Sequence, residues 1–202
     1  MTDRAGVVVA GGRSVRMGGR EKAVVDVAGT PLIRRVADGL APAIEELVVN
    51  CRADQREAIA GALSGLAPTF ALDAESDRGP VAGIAAGLEA TDAAYAVVVA
   101  CDLPFLDTAL VEYLFERAAG SDAAVPKPND WFEPLHAVYR PGPMAEACRD
   151  ALVEGDVRII EPLFSLEYEV VERTALVAHG SLDSFESVDT PADLADAESR
   201  LG

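Results

Sequence analysis

Apolar residues along this chain come in short unbroken runs instead of alternating with polar ones. The stretches "GVVVA" (6–10), "LVVN" (47–50), "TFAL" (69–72), "AYAVVVA" (94–100), "DAAVP" (122–126) and "PLHAVY" (134–139) each read as a strand covered on both faces. Between them the pattern predicts helices near 31–41, 53–63, 82–91, 107–119 and 142–153. A last helix is expected near 191–200, with Thr190 as N-cap and Pro191 at the first helical position. Strands that alternate with helices imply right-handed crossovers and an α/β fold with a doubly wound, mostly parallel, Rossmann-like sheet. In such a sheet ligands gather beyond the carboxyl ends of the strands. The loop after the first strand and the "CDLP" after "AYAVVVA" both fall on that rim, so two polar segments are expected to meet there. Nothing in the 202 residues marks a long linker, so one domain over 1–202 is expected.

Charge narrows the ligand classes. Asp and Glu number 34 against 17 Lys and Arg, a formal charge of −17, which disfavours nucleic acid and anionic membrane as partners. No apolar stretch reaches the roughly 18 residues of a membrane span, and the N-terminus has no apolar signal segment, so a soluble, cytoplasmic protein is expected. Cys51, Cys101 and Cys148 are widely spaced without a CxxC or histidine pattern, which indicates neither a disulfide framework nor a zinc site. Only Lys22 and Lys127 accompany fifteen arginines. Acidic surfaces with scarce lysine are the bias of salt-rich cytoplasm, so a halophilic origin is expected. Against such a bias, Lys22 stands out as a compact, strongly hydrated ammonium that a planar guanidinium does not replace.

Within this acidic chain, "VVVAGGRSVRMGGREKAVV" (7–25) gathers Arg13, Arg16, Arg20 and Lys22 among glycines, which suggests a bound anion. Glycine-rich turns bring backbone N–H groups close to phosphate oxygens. The segment is not a P-loop, because Gly18 is followed by "GREKA" with the lysine displaced and no hydroxyl after it. It lacks G-x-G-x-x-G as well, which argues against a dinucleotide site and hydride transfer. Asp102 closes the most apolar run and Pro104 restricts Leu103, so the carboxylate is offered at the rim. It reads either as a turn aspartate or as a hard oxygen ligand for Mg²⁺.

The string A-G-G-x-S-x-R-M-G at 10–18, followed by Lys22, resembles the loop of the molybdenum cofactor guanylyltransferase family of nucleotidyltransferases. "GPVAGI" (79–84), "CDLPF" (101–105), "EPLHAVYR" (133–140) and "VDTPADL" (188–194) follow in that family's order and cover nearly the whole chain. The resemblance implies a transfer of GMP from GTP to the phosphate of molybdenum-molybdopterin, with Mg²⁺ as cofactor. It also implies transient contact with molybdoenzyme apoproteins or cofactor-synthesis proteins. Nucleotide contacts are implied at Val9, Ala10, Gly11, Gly12, Ser14, Lys22, Asn50, Asp73, Gly79 and Asp102, with Asn50 and Asp73 at the guanine base.

A phosphate nucleophile already carries its charge, so this chemistry needs no general base; it needs alignment and charge neutralisation. Arg16 and Lys22 are expected to hold the triphosphate and the departing pyrophosphate, assisted by the N–H groups of Ala10, Gly11 and Gly12. Asp102 and Asp189 are the expected metal carboxylates. Arg13 and Arg20 are weaker candidates for the anion, and His136 and His179 are expected to be structural, although His136 lies in a motif that could approach substrate.

One departure bears on the acceptor. The family commonly reads F-x-N-x-N-T-P, whereas this chain reads "FESVDTP" with Ser187 and Asp189 in place of the asparagines. Two further readings therefore stay open from sequence: a related transferase that uses CTP or another phosphorylated acceptor such as cobinamide phosphate or a sugar phosphate, and a catalytically silent nucleotide-binding subunit that delivers cofactor.

Overall fold

The structure is a computed structural model and describes residues 3–12, 21–73, 79–155 and 158–202. Its strands are β1 (Arg4–Val9), β2 (Asp26–Val27), β3 (Thr30–Pro31), β4 (Glu46–Cys51), β5 (Thr69–Leu72), β6 (Tyr95–Ala100), β7 (Ala123–Lys127), β8 (His136–Tyr139) and β9 (Tyr168–Glu172). The helices are α1 (Leu32–Leu40), α2 (Arg56–Ala62), α3 (Gly79–Glu89), α4 (Thr108–Ala118), α5 (Pro141–Glu154), α6 (Arg173–His179) and α7 (Pro191–Leu201). Seven strands form one sheet in the order β5-β4-β1-β6-β8-β7-β9, all parallel except β8, which is antiparallel to both neighbours. The mostly parallel, doubly wound α/β sheet expected from the apolar runs is therefore the observed one.

The middles of the central strands are apolar because helices cover both of their faces. Ala5, Val7 and Val8 in β1 and Ala96 to Val99 in β6 have no exposed surface. The core of one face takes side chains from α1, α2, α4 and α6, and the core of the other from α3 and α5. Helix α1 buries Leu32, Ile33, Val36, Ala37 and Leu40, the stripe a one-sided helix presents to a sheet. Helix α3 packs differently, through small residues: a Cβ on Gly87 would stand 2.4 Å from Val7 Cγ1, so this helix lies closer to β1 than any side chain would permit.

The chain winds outward from β1 to β4 and β5 and then returns to the other side of β1 with β6. This reversal opens a crevice at the carboxyl ends of β1 and β6. Val9 pairs with Ala100, and Cys101 N–H donates to Val9 O at 3.2 Å. Gly11, Gly12 and Asp102 consequently leave the sheet side by side, as the two-segment convergence predicted.

Three elements escape the apolar pattern. Strand β9 is an edge strand whose sequence "YEVVE" mixes charge with apolar residues, because only part of it is covered. Helix α6 follows it directly with a single fully buried residue, Leu176. The β2–β3 hairpin turns at Ala28 and Gly29, both with positive φ, 48° and 81°, and Gly29 N–H donates to Asp26 Oδ1 at 2.7 Å. Helix α3 also starts at Gly79, ahead of the expected 82, so "GPVAGI" forms its first turns. No helix among the described residues is long and apolar enough to cross a membrane.

Candidate active site

Three segments distant in sequence meet around one ammonium. Lys22 opens a short 3-10 turn, Lys22–Val24. Its Nζ donates to Asp102 Oδ2 and, at 2.9 Å, to Asp189 Oδ1. Asp102 is set by the end of β6. Asp189 is brought to it because Val188 N–H donates to Asp102 O at 3.0 Å, which pins the C-terminal segment across the rim. Helix α7 then holds Asp189 from behind through a capping box: Thr190 Oγ1 accepts from Asp193 N–H, while Asp193 Oδ2 accepts from the N–H groups of Thr190 and Asp189 at 2.7 and 3.0 Å. Ser187 Oγ donates to Asp189 Oδ2 at 2.9 Å. The two residues that depart from F-x-N-x-N-T-P thus bond to each other and, through Asp189, to Lys22.

Burial pulls the Lys22 ammonium down, but Asp102 and then Asp189 outweigh it, so its pKa lies above the usual lysine value and the group is firmly charged. Asp102 Oδ1, beside the oxygen that takes the lysine, is buried and has no hydrogen-bond partner among the described residues.

The glycine loop is anchored by residues that sequence reasoning missed. Arg52 Nη1 donates to Gly11 O and Gly12 O at 2.8 and 3.0 Å, and the buried Gln55 donates through Nε2 to Ala10 O at 3.0 Å. Both leave β4 at the rim, directly after Cys51, so "CRADQ" was the available signal. One expectation is corrected: Ala10 N–H donates to Asn50 O at 2.9 Å and so is already committed to the β1–β4 ladder. Gly11 and Gly12 remain as the loop's candidate phosphate donors. Val9 ends β1, and its carbonyl accepts from Cys101. Arg13, Ser14, Arg16 and Arg20 lie outside the described residues.

On the β4–β5 side, Asn50 has no exposed surface. Its Nδ2 donates to Ala71 O at 3.2 Å and to Asp73 Oδ1 at 2.7 Å. The amide therefore lies beneath Asp73 and orients that carboxylate. Gly83 of α3 makes room for it, since a Cβ there would stand 2.4 Å from Asn50 Oδ1, and a Cβ on Gly11 would stand 2.6 Å from Asp73 Oδ2. Gly79, with φ +76°, starts α3 on the same rim. The signal was available as glycines 79, 83 and 87, spaced by four along one helix face.

His136 lies in the core. It is buried, its Nε2 lies 3.4 Å from Ser184 Oγ, and its ring is 4.7 Å from that of Phe185. Burial pushes its pKa down to about 4, so it is neutral at pH 7. His179 stacks on Tyr113 at 3.6 Å. Cys51, Cys101 and Cys148 are buried free thiols.

These features place a lysine, two carboxylates and a glycine loop at the switch point of a nucleotide-type sheet, and the comparisons with known proteins agree with that geometry. Residues 6–167 match the family described as MobA-like NTP transferase domain. The chain belongs to this family. It is 63% identical over 201 residues, the full length of both chains, to a protein of Natronomonas pharaonis named as a probable molybdenum cofactor guanylyltransferase. It is 39% identical over 199 residues, 98% of this chain and 95% of the other, to one of the same name from Haloferax mediterranei. Among solved structures it resembles molybdopterin-guanine dinucleotide biosynthesis protein A from Archaeoglobus fulgidus, with a TM-score of 0.82 and 31% identity over 98% of each chain. A cytidylyltransferase acting on 2-C-methyl-D-erythritol 4-phosphate, from Thermus thermophilus, shares the fold at 22% identity and a TM-score of 0.68.

Proposed function

We propose that this protein transfers GMP from GTP to the terminal phosphate of molybdenum-molybdopterin, giving the guanine dinucleotide form of the cofactor and pyrophosphate. The observation that carries this reading is the Lys22–Asp102–Asp189 cluster at the crevice between β1 and β6, flanked by the Asn50–Asp73 pair. The names of the full-length relatives supply the substrates.

In the step, an oxygen of the acceptor phosphate attacks the α-phosphorus of GTP. The new P–O bond forms as the bond from the α-phosphorus to the bridging oxygen breaks, and pyrophosphate carries the electron pair away. Lys22 neutralises charge on the triphosphate and on the leaving group, and Gly11 and Gly12 offer backbone N–H groups to its oxygens. Asp73, oriented by Asn50, accepts from N1–H and the 2-amino group of guanine, a donor pair that adenine and cytosine do not present in that form.

A divalent cation fits the residues present. Among the described residues Asp102 keeps one buried oxygen without a hydrogen bond, and two carboxylates stand against the one ammonium between them. Asp102 and Asp189 would hold Mg²⁺, which supplies charge stabilisation at the phosphates when bound.

The test is pyrophosphate release with GTP, CTP and ATP on molybdopterin as acceptor, for the parent and Asp73→Ala. The parent should prefer GTP, and the variant should lose that preference chiefly by losing rate with GTP. A parent that prefers CTP overturns the guanylyl assignment in favour of cytidylyl transfer. GTP binding without turnover on any acceptor overturns it in favour of a silent carrier.

A further inference from the structure

The motif "EPLHAVYR" has no part in the site so far, yet its first residues lie on the same rim. Strand β8 is antiparallel to both β6 and β7, so β7 runs in the same direction as β6 and its end at Lys127 faces the same way as Asp102. Two strand positions separate them, roughly 10 Å at about 4.8 Å per strand. The Asn50–Asp73 pair lies on the opposite side of Asp102, beyond β1.

Residues 128–135 join β7 to β8 along this rim, and the loop is held to the body at two points and braced within itself at a third. Arg173 Nη1 donates to Pro128 O at 2.8 Å, Trp131 N–H to Asn129 Oδ1 at 2.8 Å, and Glu133 N–H to Pro126 O at 3.0 Å. On this anchored loop Trp131, the chain's single tryptophan, is 76% exposed. Its neighbour Phe132 is partly buried, edge-on to Tyr168, with the Lys127 ammonium 5.8 Å from its ring centre. Glu133 is half-buried, and no hydrogen bond or ion pair engages its carboxylate among the described residues. Its burial raises its pKa above the usual glutamate value. A large aromatic surface held out in water and a desolvated acceptor without a donor are each unfavourable alone. A flat heterocycle bearing N–H donors relieves both.

We infer that the 128–135 loop binds the pterin ring of the acceptor, with Trp131 stacked on the ring and Glu133 accepting from its N3–H and 2-amino group. This rests on the guanylyl-transfer reading. Pterin and guanine carry the same amide and 2-amino donor edge, so an enzyme joining them uses two sets of acceptors, one for each ring, and a carboxylate suits either. Asp73 and Glu133 stand on opposite sides of the crevice, with the reacting phosphates between them at Lys22 and Asp102. Lys127 and Arg173 add positive charge at the pterin end of an acidic chain.

The experiment uses the full chain and its Trp131→Ala and Glu133→Gln variants. The KM for molybdopterin should rise by about tenfold or more in each, the range of a lost aromatic stacking partner, while the KM for GTP stays unchanged. Trp131 also reports directly: 6-hydroxymethylpterin should quench its emission saturably, and Glu133→Gln should move that titration to higher concentration. An unchanged acceptor KM in both variants, or no saturable quenching, overturns the inference while the transferase reading stands. If the parent releases no pyrophosphate from GTP and molybdopterin, the transferase reading falls, and the pterin titration decides the loop by itself: saturable quenching supports it and none overturns it.

Discussion

Lys22 is the residue on which the site turns, because two carboxylates converge on it and its charge survives burial. Lys22→Ala should lower kcat by about 10²-fold or more, the range for a lost transition-state donor, as measured by pyrophosphate release at saturating GTP. Lys22→Arg should rescue poorly, since a guanidinium is larger and spreads its charge. Asp102→Asn keeps the shape but removes a charge, so turnover should fall severely while the melting temperature changes little; an unaltered Mg²⁺ dependence would count against its role as a ligand. His136 gives a prediction of another kind. Its folded pKa is depressed to about 4, so the neutral ring is favoured in the native state and stability is fully present above the unfolded value near 6.5. As pH falls from there toward 4 the unfolded chain takes up the proton first, which costs about 2 kcal/mol by pH 5. Urea unfolding at pH 7 and pH 5 should show this loss in the parent and a smaller one in His136→Phe.

Among the elements, α3 and α7 set the positions of Asn50 and Asp189. Gly83→Ala places a Cβ within 2.4 Å of Asn50 Oδ1, in a part of the core with no slack. It should cost about 1–3 kcal/mol of stability through overpacking and, by displacing Asn50 and with it Asp73, weaken GTP binding more than ATP binding. Calorimetric titration with the two nucleotides separates these effects. The capping box of α7 fixes the backbone at Asp189. Thr190→Ala should therefore cost about 1 kcal/mol and also lower activity, because Asp189 loses its support; a drop in melting temperature with full activity would show that the cap serves the helix alone.

For the molecule as a whole, the charge of −17 sets its response to salt. Molar salt shortens the Debye length to about 3 Å, which screens the repulsion among exposed carboxylates. The melting temperature should rise from dilute buffer to molar KCl, and a flat or falling trend would contradict the halophilic reading. Turnover should respond in the opposite sense where phosphate binding depends on Lys22 and the loop cations, so KM for GTP should increase over the same range of KCl.

The sequence by itself determined the sheet and the rim. Unbroken apolar runs read as strands, so β1, β4, β5, β6, β7 and β8 were legible, as was the meeting of the glycine loop with Asp102 that parallel strands impose. Elements with little buried surface, the edge strand β9, helix α6 and the β2–β3 hairpin, carried too weak a pattern to be read. Tertiary structure alone decided the partners. That Lys22 bonds Asp102 and Asp189, that Ala10 N–H is spent on Asn50, and that Arg52 and Gln55 hold the loop are contacts between residues far apart in the chain. No local periodicity encodes such pairings. They follow from strand order and from how closely a glycine-lined helix approaches the sheet, quantities fixed only when the whole core packs.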